Sequence, residues 1–499
     1  MSVLSVVVFL PLVAAAVLLA VPRVSDTVVR RIWVAATAAD LALVGALWVT
    51  YSPGASGFAY EVDLSWIPIV DSRYHLGVDG LSLPLVAMTA VLFLACAIYS
   101  LRQARSVRAF VTLFLFLQTV CLGVFVSLDL ILFFVFFDLS IVGMYFVITG
   151  WGHRDAARAA LRFFLYTFLG SLALLLGFLG LFVAAEPNTF DIVRLTEQNP
   201  LAGRGTFGGL VLLAIVVGLA IKTPTVPFHT WLPPAHTEAP TAGSAILAGV
   251  LLKLGTYGFV RIAMPILPGT WRDYAVAIVV VGVLSVLYGA LVALAQRDVK
   301  RMIAYTSVNH MGYIVLAIGA AGLLATSDPR AQDLAVAGAV TQMVSHGLIT
   351  GALFLLTGVL YERGRTYDMR SYGGLAAGTP RFAGLTAVAA FASLGLPGFS
   401  GFIAEFQIFT GSLPGAPVAT ALSFLGILLT AALFLRAYQR IFLGPPRSAG
   451  RGAVADLTTA ETVSIAPLLL LAVVIGLFPR FLLDLVEPAA RTLGTLLDR

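Results

Sequence analysis

The sequence is divided into apolar runs of about 20 residues, the length that crosses a hydrocarbon layer about 30 Å thick at about 1.5 Å per helical residue. The runs fall roughly at 2–21, 30–50, 80–101, 108–127, 129–149, 160–184, 207–230, 241–266, 273–295, 302–323, 334–359, 381–410, 417–442 and 461–480. A backbone inside lipid must satisfy its own polar groups, so runs of this length become helices. The expected fold class is therefore an all-α integral membrane protein of about fourteen transmembrane helices. The composition agrees, with 59% hydrophobic and 11% charged residues where a soluble chain carries about 25% charged. The first run lacks a basic segment before it and is nearly membrane-length, which predicts an uncleaved spanning helix.

Loop charge tests the count. With the N-terminus outside, the inner loops hold twenty Lys and Arg residues, among them Arg102, Arg154, Arg297, Lys300, Arg370, Arg440 and Arg451, and the outer loops and tail hold eight. A miscounted helix would scramble this bias, so fourteen spans with both termini on the outer side of a prokaryotic cell (inner) membrane are expected. The net charge of +6 is spread over short loops and forms no single basic face, so it predicts no nucleic-acid partner. The lipid bilayer is the expected surrounding. Cys96 and Cys121 lie in apolar runs and read as small buried hydrophobes. With no CxxC, no Cys/His cluster, no HExxH pairing and no glycine-rich phosphate loop, no metal site, redox cofactor or nucleotide site is expected in this chain. Its energy source is then a partner or an ion gradient.

Two runs are interrupted. The seventh reads IKTPTVPFHTWLPPAH, with Pro224 and Pro227 after Lys222. The twelfth reads ASLGLPGFSGFIAEF, with Gly395, Pro397, Gly398 and Gly401. The breaks lie about 175 residues apart, and the fourth and ninth runs start about 165 apart. Five helices is an odd number, so two consecutive five-helix units must be inverted relative to each other, a transporter signature. The expected organisation is a three-helix segment over 1–107, a first repeat over 108–266, a second, inverted repeat over 273–442, and a loop, last span and tail over 443–499.

Four full charges sit near the middle of apolar runs: Asp138, Lys222, Lys253 and Glu405. Each costs about 2.5–3.5 kcal/mol to insert. A static ion pair can account for Asp138 with one lysine but not for all four, so they are read as functional. Only three of the 31 basic residues are lysines, and two of these are Lys222 and Lys253. Arginine stays protonated in a protein, whereas a desolvated lysine can release its proton, so a site that must switch between charged and neutral requires lysine. His310 and His346 lie mid-helix, each four residues after a polar neighbour, Thr306 or Gln342, and are candidates for a relay. His229 and His236 beside the seventh break, with Pro224, Pro227 and Pro397, are assigned to structure or gating.

The strings IKTPTVPFHTWLPPAHTEAPTAGSAILAGVLLKLGTYGFVR, AQRDVKRMIAYTSVNHMGYI, QMVSHGLITGALFLLTGVLYERG, LPGFSGFIAEF and GVDGLSLPL resemble the antiporter-like M subunits (mitochondrial subunit 4) of respiratory complex I over about residues 75–445. The resemblance implies a proton-translocating membrane-arm subunit of an NADH:quinone oxidoreductase. It implies partners in the other membrane subunits, above all the neighbouring antiporter-like ones, and NADH, FMN, iron–sulfur clusters and quinone held in partner subunits. It implies a polar axis formed by Asp138 paired with Lys222, then Lys253, His310, His346 and Glu405. Asp138 stands where the family usually has Glu, Phe137 for Trp, Gly143 for Pro, Pro234 for Asp and Asn309 for Ser. The shorter Asp138 is expected to need a water bridge to Lys222. These departures also leave open a subunit of a multisubunit cation/proton antiporter, of a membrane-bound hydrogenase or of a complex I paralogue with another electron donor. A solute transporter or a passive scaffold fits the buried charges less well.

Overall fold

The computed structural model describes residues 2–21, 23–53, 57–447 and 454–499; Arg451, counted above with the inner loops, lies outside them. Thirteen helices are long and apolar enough to cross a bilayer, from Val3–Ala20 to Thr459–Leu477. The twelfth run supplies another crossing in two pieces, Pro380–Ser393 and Ser400–Ser412, neither long enough alone. Among the described residues this makes fourteen spans, named here first to fourteenth.

Loop contacts sort the turns onto two faces. On one face Arg30 donates to the Gln103 carbonyl, Trp151 to the Arg105 carbonyl, the His153 amide to the Glu238 carbonyl and the Met369 amide to the Arg297 carbonyl. On the other, Leu128 bonds His75, Ile192 bonds Leu128 and the Thr326 amide bonds Asp498. Ser5 reaches Tyr74 on this second face, so both chain ends lie there.

Burial separates lipid-facing from central helices. The sixth span exposes Leu161, Leu165, Phe168, Leu169, Leu172, Leu176, Leu179 and Val183, a stripe at helical spacing that suits acyl chains. The apolar windows of the eighth span (Thr241–Ile266) and the eleventh (Pro329–Gly364) are wholly buried, and that of the tenth (Val299–Leu324) is 94% buried. These three helices carry Lys253, His346 and His310. The ninth and tenth spans pack backbone to backbone where a Cβ on Gly282, Gly289 or Gly312 would meet main-chain atoms of the facing helix, the small-residue packing that brings helices together in lipid.

Three features lay outside the helical reading. Strands Ala59–Ile67 and Ser72–Val78 pair as an antiparallel hairpin, which adds a small β element to the all-α expectation. The tail forms an amphipathic helix, Arg480–Leu497, that buries Leu482, Leu485, Val486, Ala490, Leu493 and Leu497. It crosses Gly80 of the GVDGLSLPL string so closely that a Cβ there would overlap the Leu485 carbonyl. The eighth span contains two π-helical segments, Leu247–Leu251 and Phe259–Ala263.

The hairpin is fastened by charge. His75 Nδ1 lies 2.5 Å from Asp191 and Nε2 lies 2.8 Å from Glu61. Burial lowers the His75 pKa, but Asp191 and then Glu61 outweigh it and the net shift is upward. Burial raises the Asp191 pKa, but His75 and the Arg194 amide outweigh it and the net shift is downward. The histidine's contribution is complete below its unfolded value near 6.5 and is lost as pH rises through its raised folded value. The carboxylate's contribution is present above about 3.9 and is lost as pH falls through its lowered value. Charge-assisted bonds of this kind stabilise by about 1.5–3 kcal/mol. Hydrogen exchange in Ser72–Val78 should therefore accelerate between pH 6 and pH 9 beyond its intrinsic base catalysis, and His75→Gln should abolish the excess.

Candidate proton-relay site

The seventh span, Gly205–Lys222, stops at Lys222 because Pro224 and Pro227 remove amide donors. The freed groups find partners: the Thr225 amide bonds the Ala220 carbonyl, Trp231 Nε1 donates to the Ile221 carbonyl, and the Val226 amide donates to Ser285 Oγ of the ninth span. His229 packs its ring edge-on against Tyr288 at 4.8 Å, and its Nδ1 has no partner among the described residues. The helix resumes at Leu232–Glu238.

Lys222 is 2% exposed. Its Nζ donates to Ser140 Oγ at 2.9 Å and sits 4.8 Å from the centre of the Phe137 ring. Asp138 does not pair with it: among the described residues no ion pair within 4 Å joins the two, and Asp138 Oδ1 is buried without a hydrogen bond. The gap fits the expectation that the shorter aspartate needs a water bridge to reach Lys222. Ser140, two residues along the same helix, takes the lysine directly.

Lys253 is fully buried between the two π segments. Such segments recur where a helix is deformed for function. Its Nζ donates at 2.6 Å to the Ala248 carbonyl of its own helix and at 2.6 Å to His346 Nδ1. With Nδ1 accepting, a neutral His346 carries its proton on Nε2, and Nε2 has no hydrogen-bond partner among the described residues. The rings of His346 and His310 are 5.3 Å apart. Gln342, expected to serve His346 on its own helix, instead donates to His310 Nδ1 across to the tenth span, and Thr306 turns back to the Ile303 carbonyl. The long amide side chain reaches the neighbouring helix, which spacing along one helix does not reveal.

His310, Gln342, Ser345, His346, Thr350, Ser393 and Glu405 share the wall of a cavity of about 10 Å³, room for about one water molecule. Ser345 Oγ and Ser400 Oγ lie 2.8 Å apart and tie the eleventh span to the restart of the twelfth. Gly395 (φ +71°) and Gly398 (φ +97°) form the break around Pro397. The Glu405 carboxylate points back over Gly395, where a Cβ would overlap it. The break thus makes the space its carboxylate fills.

The structure therefore gathers Lys253, His346, His310 and Glu405 into one buried polar series. It places Lys222 beside that series, where Gly255 of the eighth span packs on Thr223, with Asp138 within electrostatic reach of that lysine and in no ion pair within 4 Å among the described residues. Sequence reading missed two elements. Arg261, near the end of the eighth span, donates to Asp79 at 2.6 Å and to Tyr257 Oη at 2.9 Å. Lys300, counted as a loop charge, is 1% exposed; all three lysines of the chain are buried. The lysine scarcity already noted was the signal that pointed to it.

A family model described as NADH:quinone oxidoreductase/Mrp antiporter, TM, matches residues 127–430, which span both breaks and every member of the buried series. The chain belongs to this family. It is 37% identical to NADH-quinone oxidoreductase subunit M of Rickettsia conorii over 502 aligned positions, covering 99% of each protein. It is also 37% identical to F(420)H(2) dehydrogenase subunit M of Methanosarcina mazei, over 90% of this chain and 89% of that one. Among solved structures, a chain of respiratory complex I from Thermus thermophilus with bound NADH superposes with a TM-score of 0.89 at 30% identity, over 99% of both chains.

Proposed function

We propose that this protein is the M-type subunit of a respiratory NADH-quinone oxidoreductase and moves protons across the membrane while partner subunits pass electrons to quinone. The observation that carries this reading is the buried series Lys253–His346–His310–Glu405, held by the three most deeply buried spans and the twelfth-span break. Family membership and full-length similarity to subunits M support it. In a complex of this kind its neighbours are the other membrane-arm subunits, antiporter-like ones among them. The redox cofactors NADH, FMN, iron–sulfur clusters and quinone belong to partner subunits. The face with the arginine-rich turns is the cytoplasmic side and both termini lie outside, as the charge bias requires.

The chemistry is a switch of protonation states in a medium of low dielectric. A proton arriving at Lys222 raises the cost of charge on Lys253, which passes its proton to His346 through the 2.6 Å contact. His310 passes it on to Glu405 across the cavity they share, which has room for about one water molecule. Withdrawal of electrostatic support near Asp138 and Lys222, driven by redox change in partner subunits, starts the sequence. The test is Lys222→Ala and Glu405→Gln in the assembled complex in proteoliposomes. Protons moved per electron should fall in both variants while quinone reduction with an uncoupler persists, and an unchanged ratio in both sinks the proposal. An M-type subunit of an F(420)H(2) dehydrogenase is the second reading, favoured by the equal identity to the Methanosarcina mazei relative. Oxidation of NADH, and not of F(420)H(2), by the purified complex separates the two.

A further inference from the structure

The third lysine has no role in the series above, and its surroundings do not resemble a structural ion pair. Lys300 is the second residue of the tenth span, at the face of the arginine-rich turns, where its neighbours Arg297 and Arg301 are exposed. Lys300 turns the other way and is buried. Its Nζ donates to the Ala239 carbonyl at 2.7 Å and lies 5.1 Å from the centre of the Tyr367 ring. No carboxylate comes within 4 Å of it among the described residues. An ammonium held by one carbonyl and one ring leaves part of its hydrogen-bonding capacity unspent.

Both directions away from this lysine are furnished with proton carriers. Toward the surface, Tyr367 Oη lies 3.5 Å from Nε2 of half-buried His153, whose ring also packs on Tyr361. Burial, and then the Lys300 charge, hold His153 down at about 4, so at neutral pH it is an acceptor. Glu238 bonds the Asp155 amide beside it. Toward the interior, Ala239 closes the short helix Leu232–Glu238 that carries His236. His236 is wholly buried, both its ring nitrogens lack a hydrogen-bond partner among the described residues, and its ring stacks on Phe354 at 4.4 Å. It lies within electrostatic reach of both Lys300 and Lys253. The groups facing Lys300 are thus Asp298 from its own cap, Glu238 and His236 from the seventh span, His153 from the turn after the fifth, and Tyr367.

We infer that Lys300 is the proton-loading site on the cytoplasmic face, taking a proton from water by way of His153 and Tyr367 and passing it through His236 to Lys253. This rests on the reading of the chain as a proton translocator and adds its point of uptake. One N–H bond of the Lys300 ammonium breaks as one forms on His236, and the neutral lysine is reprotonated from the His153 side, so no net charge is created. His236, assigned from sequence to structure or gating, becomes a carrier.

The experiment uses the assembled complex in proteoliposomes with four variants: Lys300→Arg, Lys300→Met, Lys300→His and, as the control for translocation itself, Lys253→Met. Quinone reduction with an uncoupler reports assembly. Lys300→Arg keeps the charge and cannot release it, so pumping should fall roughly tenfold or more, as it should in Lys300→Met. Lys300→His, still titratable, should restore part of the rate with its pH optimum moved down. Full pumping in Lys300→Arg means the lysine is a fixed positive charge and overturns the inference, as does a wild-type pH profile in Lys300→His. If Lys253→Met also pumps normally, the translocation reading itself has failed, which distinguishes the two failures. Should Lys300→Arg not assemble, the pH optimum of Lys300→His decides alone.

Discussion

Lys253→Met is expected to abolish proton translocation and at the same time leave the protein as stable as before or more so. The two effects have one cause. Lys253 is fully buried, and among the described residues its ammonium is held by the Ala248 carbonyl and His346 Nδ1. Methionine fills nearly the same volume without a charge to desolvate. Replacing a buried charge with an apolar side chain of similar size is often neutral or stabilising, by about 1–4 kcal/mol. The price is the titratable group whose ammonium contacts His346 Nδ1, and loss of an essential proton carrier costs about 10²–10⁴-fold in rate. A thermal unfolding scan and a pumping assay on one preparation check both parts. A marked loss of thermal stability would show that Lys253 is a structural brace.

Gly395→Ala is expected to have the second-largest effect, through geometry. Gly395 adopts φ +71°, where a Cβ costs roughly 1–2 kcal/mol. That Cβ would also overlap the Glu405 carboxylate. The carboxylate must then leave the cavity it shares with His310 and His346, and the last link of the series opens. Pumping should drop by about an order of magnitude or more, since small displacements in a proton-transfer geometry are costly. Gly384→Ala in the same span is the control, because a Cβ there meets nothing within 4 Å and should leave pumping unchanged. Equal behaviour of the two variants would detach Gly395 from the function of Glu405.

Much of this architecture could be read from the chain because lipid imposes its rules locally. An apolar run long enough to span must be helical wherever it sits, and a charge in its middle is costly whichever helix it meets. The spans, both breaks and the candidates Lys222, Lys253, His310, His346 and Glu405 follow from those two rules. The β hairpin escaped because it lies outside lipid, where strand patterning competes with loop composition. The π segments of the eighth span escaped because an extra residue in a helical turn leaves no mark in the apolar run that carries it.

Sequence by itself thus determined how many times this protein crosses the membrane, where its helices break and which side chains carry charge into the hydrocarbon. Only the tertiary structure decided which of those side chains meet. Asp138 was expected to meet Lys222 through a water bridge, and the direct partner of the lysine is Ser140. Gln342 was expected to serve His346, but it reaches His310. Lys300 looked like a loop charge, but it is folded inward under Ala239. The physical reason is that desolvation depends on the depth of a residue in its own helix, whereas pairing depends on the rotation of each helix about its axis and on its neighbours, and neither of these is written into a single run.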